Sequence, residues 1–155
     1  MLIDITTSMP LSEANLSLPS PEEEWSAETE EEWLSLRSSS PTPKFKVAFQ
    51  SLFSGKIENI HRYSEFGGYV TISGLLSAIL NAHRLATTPA VDVNWQKFDN
   101  ALDAWQRSWN ADPKSHSTGP GSPFGAMAFN ASAIYRATSI RRVRDYSPYV
   151  PRGNG

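Results

Sequence analysis

The chain has 155 residues, 39% of them hydrophobic and 19% charged, with a formal net charge of −2 and no cysteine. That length suits one domain with a modest core, and the missing cysteine excludes a disulfide framework or a Cys-based zinc site within the chain. No window holds the ~18 apolar residues of a membrane span, and the start, MLIDITTSMP, lacks the basic and apolar regions of a secretory signal.

The charge is segregated. Residues 1–36 carry nine acids and no Lys or Arg, while residues 37–155 hold all 14 Lys and Arg against seven acids. An acidic arm beside a basic body predicts either self-association in cis or an acidic interaction surface. The plainer alternative is an acidic helix start attached to a loose tail.

Residues 1–24 read as a disordered acidic tail. They mix Ser, Thr, Pro and Asn without a sustained period, although Leu16 and Leu18 have the character to pack. Residues 26–37 predict a short helix, with Ser26 or Thr29 as N-cap and Thr29-x-x-Glu32 as a capping box. Glutamates crowd its first turn, where the helix dipole favours them, and Trp33, Leu34 and Leu36 form its apolar side. Ser38 to Pro43 reads as a linker. Residues 44–54 predict a second short helix, with Phe45, Phe49 and Leu52 or Phe53 on one face and Gly55 closing it. Ile57, Ile60 and Tyr63 suggest a helical turn, which Gly67-Gly68 is expected to break.

Residues 69–86 form the most apolar predicted helix. Val70, Ile72, Leu75, Leu76, Ile79, Leu80 and Leu85 cover more than half its circumference, which marks it as central. Gly74, Ser77, Ala78 and Ala82 are small enough for close helix approach, and Pro89 follows its end. In residues 92–111 the large apolar side chains fall at Trp95, Phe98, Leu102, Trp105 and Trp109, in steps of three and four. That is the period of one helix face. The opposite face is polar: Gln96, Lys97, Asn100, Asp103, Gln106, Arg107 and Asn110. The stripe reads as core needing partner helices, with a ligand-stacking aromatic groove as the alternative. Asp112-Pro113 ends this helix, and a Gly/Pro-rich loop follows. Ser122-Pro123 then opens a last helix, whose stripe is Phe124, Met127 or Ala128, Ala131, Ile134 or Tyr135, and Thr138. Its end is basic, with Arg136, Arg141, Arg142 and Arg144. Residues 146–155 read as a disordered tail. The expected fold is all-α: an irregular array of about five helices, two or three of them long and packed together.

No catalytic, cofactor-binding or metal site follows from these residues. His61, His83 and His116 lie too far apart for a zinc spacing. Gly119 to Gly125 opens a helix, but Pro120 and Pro123 remove donors that a phosphate loop would use. No G-x-S-x-G motif is present. Asp99 and Asp103 are read on the solvated face of the tryptophan helix, as partners for Lys97 or Arg107. The chain is expected to be a non-enzyme with no cofactor.

The order of short blocks carries a resemblance. Leu16-Ser-Leu-Pro19, Glu24-Trp25, Ala27 and Glu31-Glu-Trp-Leu34 come first, with Ser20 where the family has cysteine. Phe45 and the Ala48–Leu52 helix follow, then Leu75-Leu76 through His83-Arg84-Leu85. Next come Trp95, Ala101-Leu102, Trp105, Trp109 and Asp112-Pro113. Pro123-Phe-Gly125 and Ala128-Phe-Asn-Ala131 through Tyr135-Arg136 and Ile140-Arg141 complete the set. Over residues 16–145 this series resembles the fungal-specific transcription factor regulatory domain (the middle homology region), and is most similar to the version in fungal C2H2 zinc finger transcription factors. The resemblance implies a partial regulatory domain over residues 25–145. It implies a nuclear helical interaction module in regulation of transcription by RNA polymerase II. Its partners would be the remainder of the regulator or a co-regulator, with DNA contacted only indirectly and no membrane. Zinc would belong to a separate DNA-binding segment. Trp95, Phe98, Leu102, Trp105, Trp109 and Phe129 are the expected structural residues. If the family domain extends beyond this chain, part of the tryptophan stripe or of the 69–85 helix would lie exposed. The alternative is a free-standing helical protein that antagonises a full regulator by pairing with it, or that binds a small apolar ligand.

Overall fold

Six helices follow one another in the computed structural model, which describes residues 15–39, 42–54, 64–87, 92–111 and 125–145. They are α1 (Glu22–Trp25), α2 (Glu30–Ser39), α3 (Phe45–Ser54), α4 (Glu65–Ala86), α5 (Trp95–Asn110) and α6 (Gly125–Asp145). The fold is all-α. Among the described residues the only β pairing is an isolated antiparallel bridge between Ser17 and Lys44.

Helix α4 is the axis of the fold. It packs against α3, α5 and most extensively α6, as its apolar circumference predicts. Its start lies earlier than the sequence suggests. Gly67 and Gly68 do not break the helix; they form its first turn and are buried. The Ser64 hydroxyl caps that turn, accepting from the Gly67 N–H at 2.9 Å, while the Gly68 N–H donates to the Ser64 carbonyl at 2.8 Å. Glycine is required at position 68 by close approach: an added Cβ would lie 2.2 Å from the Trp109 ring. The helix propensity lost at glycine is offset by the indole packing on bare backbone. Gly74 repeats the device one and a half turns on, where a Cβ would meet the Phe45 ring at 2.9 Å.

The tryptophan stripe of α5 is core. Trp105 is 1% exposed, and Leu102 and Trp109 are buried with it, while Trp95 and Phe98 are half-buried. All seven polar residues assigned to the opposite face are exposed. One assignment is corrected. Asp99 is buried and only Asp103 is exposed, because Asp99 lies one turn after Trp95 and one turn before Leu102, at the edge of the apolar stripe.

Two aromatic seams hold α5. Along α3, Phe45 stacks on Phe49 at 5.3 Å, Phe49 meets Phe53 edge-on at 5.4 Å, and Phe53 reaches Phe98 edge-on at 5.7 Å. On the other side Trp105 stacks on Trp109 at 5.1 Å and on Tyr135 of α6 at 5.4 Å. The Trp105 Nε1–H donates to the Gly68 carbonyl at 3.1 Å, which satisfies the polar end of a buried indole. The Tyr135 hydroxyl donates to Gln106 Oε1 at 2.7 Å.

Residues 15–24, read from sequence as tail, join the body. Leu18 is buried in the main core. The Leu18 N–H donates to the Pro43 carbonyl at 2.9 Å, and the Phe45 N–H to the Leu16 carbonyl at 2.8 Å. The Ser64 hydroxyl reaches the Pro19 carbonyl at 2.9 Å. The prolines at 19 and 21 hold this segment extended, and an extended strand-like segment exposes the backbone groups that these bonds use. Other sequence expectations fall outside the described residues: the first 14 residues, Gly55, the Ile57–Tyr63 turn, Pro89, Asp112-Pro113, the loop to Phe124 with its Ser122-Pro123 helix start, and residues 146–155.

Candidate functional site

Exposed large apolar side chains are spread over the described surface, at Leu16, Val47, Phe66 and Leu85 among others, and two groups of them stand beside charges of opposite sign.

The first is the acidic arm, α1 and α2. The expected single helix over 26–37 is in fact two pieces. Ser26 caps the end of α1, its N–H and hydroxyl both donating to the Glu22 carbonyl at 3.1 Å. Thr29 starts α2: its hydroxyl accepts from the Glu32 N–H at 3.2 Å. The reciprocal bond is shifted by one residue, the Glu28 N–H donating to Glu32 Oε2 at 3.0 Å. No residue of α2 is buried. Its apolar side, read from sequence as Trp33, Leu34 and Leu36, is at most half covered. Trp33 is partly shielded by the Arg37 guanidinium, 4.8 Å from its ring centroid, whereas Leu34 is exposed and Trp25 is 75% exposed. Glu22, Glu23, Glu28, Glu30, Glu31 and Glu32 surround them, all exposed. Glu24 is the acid that turns inward; it is buried, and its Oε1 has no hydrogen-bond partner among the described residues.

The second is the outer face of α6. Ala128, Ala131 and Thr138 face inward and are buried, with Ile134 and Tyr135 half-buried. Thr138 satisfies its hydroxyl within the helix, at 2.7 Å from the Ile134 carbonyl. Small residues there let α6 lie close to α4. Phe129, expected in the core, is instead 55% exposed. The helix turns it about 100° away from Ala128, and the close α4 contact is made by alanines. Phe129, Ala133, Arg136 and Ile140 follow one another at steps of four, three and four, and all are exposed. They form an outward stripe with a cation in its middle, on a helix whose last residues include Arg141, Arg142 and Arg144.

The other candidates from sequence sit apart. His83 is half-buried, its ring 4.4 Å from that of Trp95. Among the described residues no three His, Cys, Asp or Glu side chains converge on a metal-sized site. None of the described helices is long and apolar enough to cross a membrane. In the stripe considered from sequence as an aromatic groove, Trp105 and Trp109 are buried and stacked on each other, with half-buried Tyr135 of α6 stacked on Trp105, while Trp95 and Phe98 are half-buried. Of the two places where the sequence allowed exposure, the tryptophan stripe is buried or half-buried and the 69–85 helix exposes Leu85; further exposed apolar side chains lie on α1, α2 and the back of α6. Sequence reasoning named the inner side of α6 through Ala131, Ile134 or Tyr135 and Thr138, but missed the outward stripe, whose two large apolar residues are separated by Ala133 and Arg136. No family model, curated protein or solved structure matches the chain.

Proposed function

We propose that this chain is a protein-interaction module of a fungal zinc finger transcription regulator, acting through its surface and not through chemistry at a buried centre. The family assignment rests on the ordered blocks over residues 16–145. The interaction role rests on one observation above the others: α2 is a ten-residue helix with no buried residue, attached to a core that is complete without it. Isolated helices shorter than ~12–15 residues are marginal in water, so a helix of this kind gains its stability when a partner covers it. Trp25 and Leu34 are the anchors offered to that partner, because aromatic and large apolar side chains dominate interface energetics. The surrounding carboxylates set its charge preference. In this reading the nucleus is the site of action, and contact with DNA passes through other parts of the regulator.

A reporter experiment tests the proposal. The full chain is tethered to a heterologous DNA-binding domain in a fungal host, and transcription from the cognate promoter is compared with the untethered control. A change in output that Trp25→Ser/Leu34→Ser abolishes, at unchanged protein level, is the expected result. No change in output, or one that the double substitution leaves intact, overturns it.

A further inference from the structure

We infer that the partner of the acidic arm is a second copy of this chain: α1–α2 of one protomer lies along the outer stripe of α6 in its partner, and the reverse contact is made at the same time. The inference deepens the interaction-module reading and rests on it.

Charge complementarity selects this occupant. The arm belongs to a segment with nine acids and no Lys or Arg, and the remaining residues carry seven more cations than anions. Each protomer therefore presents both halves of an attractive contact, which steers encounter between copies. The described arm leaves Trp25 and Leu34 exposed, and the α6 stripe leaves Phe129 and Ile140 exposed.

The dimensions agree as well. At 1.5 Å per residue, α2 is about 15 Å long, and Phe129 to Ile140 spans about 16 Å of α6. The two segments match in length along their axes. Trp25 and Leu34 meet Phe129 and Ile140, and the exposed glutamates reach Arg136 at the centre of the stripe. A two-fold axis makes the arrangement close on itself. Arm to stripe and stripe to arm are the same contact seen from the two protomers, so pairing stops at a dimer and does not run on as a filament. The contact also covers a helix that lacks a buried face, which gives α2 the tertiary packing that short helices require.

Sedimentation velocity on the full chain tests this, over a range of concentrations at low and high salt. The expected result is reversible doubling of the 17.2 kDa mass, with a dissociation constant that rises roughly tenfold or more between 0.05 and 0.5 M salt as the surface charges are screened. Two charge reversals provide the decisive arm. Glu22→Lys/Glu28→Lys/Glu30→Lys/Glu31→Lys turns the seven acids and one arginine of residues 22–37 into three acids and five cations, giving a protomer cationic on both surfaces, and Arg136→Glu gives one with an anionic stripe centre. All five positions are exposed, so circular dichroism and the melting temperature are expected to stay within a few degrees of the parent.

Each variant alone is expected to be monomeric where the parent is dimeric. An equimolar mixture of the two is expected to pair again, because the reversed arm of one meets the reversed stripe of the other. A parent that stays monomeric at every concentration in low salt overturns the inference. So does a dimer that neither variant disturbs, a dimer lost with the arm variant but kept with Arg136→Glu, or a mixture that fails to pair. A monomeric parent that still changes reporter output would sink the self-pairing alone, while a silent reporter with an intact dimer would sink the transcriptional reading alone.

Discussion

Trp105 carries more of this core than any other side chain. It is the largest fully buried residue, it stacks on two rings, and its N–H closes a bond to the backbone of α4. Trp105→Ala removes all three contacts and leaves a cavity, so a loss of about 3–5 kcal/mol is expected in urea unfolding. Unchanged stability would refute its place in the core. Gly68 is the receiving surface for the neighbouring indole. Gly68→Ala gains helix propensity, about 1 kcal/mol at most, but drives a methyl group into the Trp109 ring. Trp109 is held between α4 and Trp105 and has little room to yield, so overpacking wins, with a net destabilisation of about 1–3 kcal/mol. A more stable Gly68→Ala protein would show that the ring moves freely. Phe129→Ala is the contrasting case. The side chain is exposed on the back of α6, and stability is expected to shift by no more than about 0.5 kcal/mol. A loss on the scale of Trp105→Ala would return Phe129 to the interior.

At the scale of elements, the helices divide by what covers them. Helices α3 to α6 share buried faces and two aromatic seams, whereas α2 has no buried residue and only capping, dipole and Trp33–Arg37 terms beside its contact with α1. An N-cap side chain contributes about 1 kcal/mol, too little to hold a lone ten-residue helix against its conformational entropy. Amide hydrogen exchange in dilute, high-salt solution is therefore expected to be fast for α2 and slow for the middle of α4 and α5. Protection of α2 that matches α4 under those conditions would mean that the arm is covered within the monomer. The same contrast explains how well each element could be read. The α5 stripe has one apolar face, so its period alone assigns every large apolar residue, and misplaces only Asp99 at its edge. Helix α6 has small residues on one side and Phe129 and Ile140 on another; period places Ala131, Ile134 or Tyr135 and Thr138 on the inner side, but leaves Met127 and Ala128 as alternatives. The tight approach to α4 selects the alanines.

For the molecule as a whole, residues 15–24 are part of the fold. Leu18 joins the core formed by α3, α4 and α5, and the backbone bonds to Pro43 and from Phe45 tie it there. Leu18→Ala is expected to cost about 2–5 kcal/mol, the range for a buried leucine, measured as a lower urea midpoint at constant slope. A cost below about 0.5 kcal/mol would make residues 15–24 the loose tail that their composition suggests. Composition is blind here because a single leucine in a proline-rich segment has no period, and its burial depends on Ser64 and Pro43, distant in sequence. The candidate surface has the same character: acidity and the Trp and Leu of the arm are visible in the chain, but their exposure is a property of what the body leaves uncovered.

The amino-acid sequence by itself determined the all-α class, the central role of the Tyr69–Ala86 helix and the inward face of Trp95–Trp109, because these follow from local period and from apolar weight on a single helix. Tertiary structure decided four things: that Gly67-Gly68 opens a helix, that Leu18 is core, that Asp99 is buried, and that Phe129 points outward. Each depends on how closely two distant segments approach, and that distance is set by the side chains of both partners together.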